Sequence, residues 1–265
     1  MKKVNFHTHT ELCRHAGGVP SDYAAMAYKN GLSTLGFSEH APYPDGRFGL
    51  RMLYDELEPY IQDLNRLKKE YSGKVLIYSG LEIEYCPDMK EYYESLIKPG
   101  RMDYLLLGQH FYTPAGGQPI NIYELEAKGD TAAYIDYALS LKEGMETGFF
   151  KVLAHPDVIF INDMAWDENC ERACTIIIEA AQKTGTVLEL NANGIRRGKK
   201  LFCDGERYPY PHKRFWEKVS GTSLPVIAGS DCHNPAVLWD DCMEEALRLG
   251  REWNLNIVDG IGIES

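Results

Sequence analysis

An apolar run of strand type followed by an amphipathic run of helix type recurs seven times along this chain. Every apolar run ends in polar or ionisable side chains. The predicted strands are Val4–Phe6, Thr34–Ser38, Val75–Tyr85, Tyr104–Phe111, Val152–His155, Val187–Ala192 and Pro225–Ser230. The predicted helices are Asp22–Asn30, Leu53–Tyr71, Met89–Leu96, Thr131–Thr147, Glu168–Lys183, His212–Ser220 and Ala236–Trp253. Gly31, Gly148 and Gly185 fall just past three helices, where a left-handed cap residue is expected. Strands separated by helices pair in parallel through crossover connections. Seven such units predict an α/β fold closed, or nearly closed, into a barrel, with an open doubly wound sheet as the alternative. The 265 residues suffice for one such barrel, and no Pro/Gly/Ser-rich linker divides them, so 1–265 reads as a single domain.

In a barrel, the C-terminal strand ends converge on one face, where active sites are built. The ends here read Asn5-Phe6-His7-Thr8-His9, Ser38-Glu39-His40, Gly80-Leu81-Glu82-Ile83-Glu84, Gly108-Gln109-His110, Ala154-His155-Pro156, Glu189-Leu190-Asn191-Ala192-Asn193 and Ser230-Asp231-Cys232-His233. Of eight histidines, six lie at these ends, His15 follows in the first loop, and His212 alone stands apart. A lone strand-end histidine is usually structural. Seven converging would be costly to bury without compensation, and bound metal resolves the cost. Imidazoles and carboxylates suit Zn, Mn or Fe. In a strand, His7 and His9 point the same way, as do Asp231 and His233, while Cys232 points away into packing. Glu82 and Glu84 share a face, and one of them can bridge two ions.

The chain contains no HExxH, phosphate-binding P-loop, GxGxxG or GxSxG sequence, which leaves metal-activated water as the expected chemistry. The net charge of −11 argues against broad nucleic-acid binding. No apolar run reaches ~18 residues, so no membrane span is expected, and the N-terminus lacks the apolar stretch of a secretory signal. Seven scattered cysteines without a CxxC pair read as free thiols of a cytoplasmic protein. Cys170 and Cys174 lie one helical turn apart, on a packed helix face.

The ordered set His7-Thr8-His9, His15, Ser38-Glu39-His40, Gly80-Leu81-Glu82, His110, His155-Pro156 and Asp231-Cys232-His233 resembles the PHP (polymerase and histidinol phosphatase) family over essentially the whole chain. The resemblance implies a distorted (β/α)7 barrel and two to three divalent ions. His7, His9, Glu82 and Asp231 would hold one ion. Glu82, as the family's G-x-E carboxylate, would bridge to a second on His110 and His155. His15, His40 and His233 would hold a third. Glu84 would then stand behind the ligands or at the surface.

Within that family, the length and the Tyr208-Pro209-Tyr210-Pro211 and Gly229–His233 segments are most similar to histidinol-phosphate phosphatases, enzymes of histidine biosynthesis. The implied substrate is a small phosphomonoester, attacked by a hydroxide bridging two ions. Asp231 and Glu82 would be catalytic, and Asp231 or a metal-bound water would protonate the leaving alkoxide. Many such phosphatases carry basic residues shortly after the strand-five histidine, and His155–Ile161 has none. Arg196 and Arg197, beside strand six, can bind phosphate in their stead or form a solvated loop. A phosphoesterase acting on nucleotides and a metal-binding protein without turnover are the competing readings.

Overall fold

The structure is a computed structural model that describes residues 2–114, 117–125 and 129–263. In chain order its elements are β1 (Val4–Asn5), α1 (Pro20–Lys29), β2 (Thr34–His40), α2 (Leu57–Glu70), β3 (Leu76–Ile83), α3 (Lys90–Leu96), β4 (Tyr104–Leu107), β5 (Phe111–Tyr112) and β6 (Ile120–Asn121). There follow α4 (Ala132–Glu146), β7 (Val152–Leu153), α5 (Glu168–Thr184), β8 (Val187–Asn191), α6 (Ala192–Arg196), β9 (Lys200–Phe202), β10 (Gly205–Arg207), α7 (Lys213–Ser220), β11 (Pro225–Gly229), α8 (Asp241–Glu252) and β12 (Asn256–Ile257).

The seven strands read from the sequence lie side by side as β1-β2-β3-β4-β7-β8-β11, all parallel. The eighth, β12, has no counterpart in the sequence reading. It pairs with the start of β11, at Pro225 and Val226. Higher up the same edge of β11, Thr8 bridges Cys232 in parallel and His9 N donates to Cys232 O at 3.0 Å. Ser230 N donates to Asn5 Oδ1 at 2.8 Å. The chain just past β1 therefore closes the upper half of the seam and β12 fills the lower half. The distorted barrel is confirmed, with one strand more than expected.

Side-chain alternation then separates two cores. One is the lumen, where Val4, Phe6, Tyr104, Leu106, Val152, Val187 and Ile227 pack together with Ile261 from the C-terminal segment. The other lies between the barrel's outer face and the helices, and includes Leu35, Phe37, Leu105, Leu188, Val226, Leu64 and Ile177. The lumen changes character with height. Val187 is followed two residues later by Glu189 and then Asn191, and Ile227 by Gly229 and Asp231. Apolar filling at the bottom gives way to polar side chains at the top, and that gradient places the site.

Some boundaries differ from expectation for local reasons. The fourth strand stops at Leu107, and Phe111 pairs instead with Asn121 in a small antiparallel hairpin. The last helix does not run unbroken from Ala236. Asp240 accepts from Met243 N and starts α8 afresh after a short 3-10 turn at Pro235–Val237. Helix α5 matches closely. Asp167 caps its start, and Cys170, Cys174, Ile177 and Ala181 form its buried face. Gly31, Gly148 and Gly185 all take positive φ, as their positions required. The seven cysteines are free, and Cys232 is fully buried in packing. Among the described residues no helix is long and apolar enough to cross a membrane.

Candidate metal centre

All nine residues expected to bind metal meet at the upper mouth of the barrel. His7 Nε2 and His9 Nε2 lie 3.0 Å apart. Glu82 Oε2 is 3.3 Å from each of these nitrogens. Asp231 Oδ1 is 3.6 Å from His7 Nε2 and 3.4 Å from His9 Nε2. A tetrahedral ion with bonds of about 2.0–2.1 Å requires donors roughly 3.3–3.4 Å apart. His7, His9 and Glu82 come close to that spacing, with Asp231 Oδ1 beside both histidines and grouped by proximity with His7 and His155. Glu82 Oε2 and His9 Nδ1 are buried with no hydrogen-bond partner in the protein, a cost that a bound cation removes at Glu82.

The other carboxylate oxygen of Glu82 faces a second group. Oε1 lies 2.8 Å from His155 Nε2 and 3.7 Å from His110 Nε2. A third group, His15, His40 and His233, also brings its ring nitrogens together, with His15 Nε2 and His233 Nε2 3.0 Å apart. His40 stands between the groups, its Nδ1 3.1 Å from Glu82 Oε2. The third group contains no carboxylate, and His15 is exposed.

The charges point the same way. Burial alone would push His7 down, yet Glu189, Asp231 and Glu82 hold it up at about 10. His9 is likewise raised against burial, by Asp231, Glu39 and Glu82. Glu82 and Asp231 are buried, which opposes ionisation, but the surrounding histidines keep both well below the usual carboxylate range. Buried acids this close demand positive charge, as protons on His7 and His9 or as cations in their place. His40 and His233 are pushed the other way, first by burial and then by His9, with His233 near 3. Both are neutral imidazoles, the form that binds metal.

Residues behind the donors orient them, as such partners do at metal sites. Glu189 Oε1 is 2.8 Å from His7 Nδ1, and Glu189 Oε2 accepts from His155 N at 3.1 Å. Glu39 Oε1 stands 3.5 Å from His9 Nδ1, facing it as a charge without a hydrogen bond, and Glu39 Oε2 accepts from Thr10 N at 2.8 Å. Asn191 and Asn193 both donate to Asp231 Oδ2, at 3.2 and 3.1 Å, so Oδ1 is the oxygen turned to the histidines. Glu39, Glu189, Asn191 and Asn193 stand at strand ends in the sequence, with no role evident from sequence alone. The i, i+2 spacing of Glu189 and Asn191 was the available signal. Glu84 is no surface carboxylate: it is buried between Arg51 and His110.

The backbone pays attention to these carboxylates too. A β-carbon at Gly108 would overlap Glu82, and one at Gly229 would overlap Glu189. Two candidate ligands, His155 (φ 29) and Asp231 (φ 48), adopt positive φ, a strain that persists where the surroundings over-determine it.

The donors open into a cavity of about 620 Å³ lined also by Arg51, Tyr123, Asn193, Arg196, Arg197 and Tyr210. The two arginines differ. Arg196 Nε is 2.7 Å from Asp240 Oδ2, and its Nη1 donates to Ser230 O at 2.8 Å. Arg197 has no carboxylate partner among the described residues; its guanidinium lies 5.8 Å from the Tyr210 ring.

A barrel that gathers histidines and carboxylates around divalent-ion positions at an open mouth defines the class of metal-dependent hydrolases. The chain belongs to the PHP domain family, whose model matches residues 5–193. A relative from Deinococcus radiodurans, named "Probable histidinol-phosphatase", is 28% identical over 233 residues, covering 86% of this chain and 85% of its own. The histidinol-phosphatase of Bacillus subtilis is 24% identical over 258 residues, covering 88% and 94%. The fold is similar to histidinol phosphate phosphatase from Lactococcus lactis, solved with zinc, L-histidinol and phosphate. That match has a TM-score of 0.74 and 17% identity, and covers 100% of this chain and 99% of the other.

Proposed function

We propose that this protein is a metal-dependent phosphatase that hydrolyses L-histidinol phosphate to L-histidinol and phosphate, with two to three divalent ions of zinc, manganese or iron. The single observation carrying the reading is Glu82, whose two oxygens face two separate histidine groups. Relatives called histidinol-phosphatase over 86–88% of the chain supply the substrate. The ions, when bound, would supply a hydroxide at neutral pH and neutralise charge on the phosphoryl oxygens.

The chain's own residues do the rest. His7, His9, Glu82 and Asp231 would hold the first ion; Glu82, His110 and His155 the second; His15, His40 and His233 the third. Asn191 and Asn193 keep Asp231 turned inward, and the histidines keep it ionised. Arg197, free of carboxylates and facing the cavity, takes the phosphate oxygens left by the ions. Arg196 instead ties α6 to Asp240 and to Ser230, beside Asp231. The free thiols and the −11 charge suit a cytoplasmic enzyme with a small substrate.

The test is a panel assay on metal-reconstituted protein. Histidinol phosphate is the preferred substrate over mononucleotides and p-nitrophenyl phosphate, and chelation abolishes turnover. A wide preference for a nucleotide, or turnover unaffected by chelation, overturns the reading.

A further inference from the structure

Of the two histidines facing Glu82 Oε1, both past the ends of their strands, His155 is almost fully buried, whereas His110, between β4 and β5, is only partly buried. Something else must hold its ring. Glu84 Oε1 lies 3.2 Å from His110 Nδ1. Glu84 is itself gripped by Arg51, whose Nη1 and Nη2 donate to Oε2 and Oε1, both at 3.0 Å. Arg51 Nη1 also donates to Ala41 O at 3.1 Å, which fixes the guanidinium to the end of β2.

Arg51 arrives on a strap between β2 and α2. There, Phe48 (φ 65) and Leu50 (φ 53) take left-handed backbone, which bulky side chains rarely adopt. The strap is bound to the His110 segment a second time. Phe48 stacks on Phe111 at 4.7 Å and 19°, and the Arg51 guanidinium lies 5.2 Å from the Phe48 ring. A buried Arg–Glu pair adds little stability over an apolar pair of the same size. What it adds here is direction. With both Glu84 oxygens occupied by Arg51, the carboxylate has one orientation. It then receives Nδ1–H of His110 and leaves Nε2 toward Glu82.

We propose that Arg51 is a positioning residue of the metal centre, acting through Glu84 to set the ring of His110 for the second ion. This rests on the reading that His110, His155 and Glu82 hold that ion. Among the described residues no arginine pairs with Glu39 or Glu189, the carboxylates behind the first group, where two asparagines hold Asp231. The effect of losing Arg51 is therefore expected mainly at the second ion.

The experiment titrates Zn²⁺ into chelator-stripped full-length protein against a chromophoric chelator. Wild type takes up at least two equivalents. Arg51→Gln binds the first as wild type does and the second roughly 10–100-fold more weakly, the usual cost of losing such a partner. Arg51→Lys, which keeps the charge without the fork, falls between. Glu84→Gln weakens the same equivalent, and Arg51→Gln adds nothing further in that background, because the two act as one unit. Additive losses, or wild-type affinity for the second ion in Arg51→Gln, overturn the proposal. If Arg51→Gln does not fold, Arg51→Lys decides, and unchanged second-ion affinity there overturns it. A wild type that binds a single ion overturns the two-ion reading, and this proposal with it.

Discussion

His7 Nδ1 and Glu189 Oε1 lie 2.8 Å apart, both wholly buried and 182 residues apart in the chain. Against burial, Glu189 leads the carboxylates that hold His7 at about 10. At pH 7 the metal-free site therefore keeps a proton on His7, and an incoming ion must displace it. Zinc affinity of wild type rises with pH up to about 10. In Glu189→Gln the imidazole is a poorer ligand, so affinity at pH 9 falls roughly 10–100-fold. Its pKa also falls, so proton competition eases, and the deficit is smaller at pH 7 than at pH 9. Chelator competition at both pH values checks this; a deficit that grows toward acid contradicts it.

Glu82 and Glu84 separate in a second experiment. Glu82→Gln removes the carboxylate that both histidine groups share, so activity falls by orders of magnitude and metal content drops even at saturating metal. Glu84→Gln leaves those oxygens in place and is much milder, its deficit recovering as metal is raised. Elemental analysis and turnover at two metal concentrations distinguish them. Equal losses would assign the bridging role wrongly.

Arg197 and Arg196 part in the same way. A charge-assisted contact contributes about 1.5–3 kcal/mol, so Arg197→Ala loses roughly 10–150-fold in kcat/KM for histidinol phosphate, with unchanged metal content and melting temperature. Arg196→Ala loses its pair with Asp240 and its bond to Ser230 O. That costs about 2–3 kcal/mol, a fall in Tm of roughly 5–10 °C. The outcome against this assignment is an Arg197→Ala enzyme that matches wild type.

His212 lies away from the ligands, buried against Trp166 and Phe160, with Nε2 3.0 Å from Asp204 Oδ2. Burial, helped by Arg207, pushes it down to about 4 although Asp204 opposes. The folded chain holds this ring neutral while the unfolded chain protonates it below about 6.5. Its stabilising contribution is complete above 6.5 and is lost as pH falls toward 4, by about 2 kcal/mol between 6.5 and 5. Asp157, which burial raises to about 6, acts in the opposite sense over much of the same range. The informative quantity is therefore the stability difference between wild type and His212→Gln in chelator-stripped protein. Urea denaturation shows that difference shrinking from pH 7 to pH 5; a constant difference contradicts the assignment.

The sequence by itself indicated the parallel α/β architecture and the candidate donors at its strand ends, because both are written in short periods. Parallel strands are buried on both faces, so each appears as an apolar run, and a ligand must sit where that run meets the open end. His7, His9 and Asp231 could thus be named as candidates without knowing which strands were neighbours, while Glu82 was separated from Glu84 only by its likeness to the family's G-x-E. Partner choice was decided only by the tertiary structure. Nothing local to Arg196 or Arg197 tells which one meets Asp240, 44 positions from Arg196, and which is left facing the cavity. The sequence left Glu84 either behind the ligands or at the surface, and Arg51, on a strap 33 residues upstream, decides for the first. The same holds for β12, a two-residue strand too short to show periodicity, which exists because the lower half of the seam beside β11 is unpaired by β1. Local periodicity records which way a side chain faces, whereas the group it meets depends on how the closed barrel brings distant segments together.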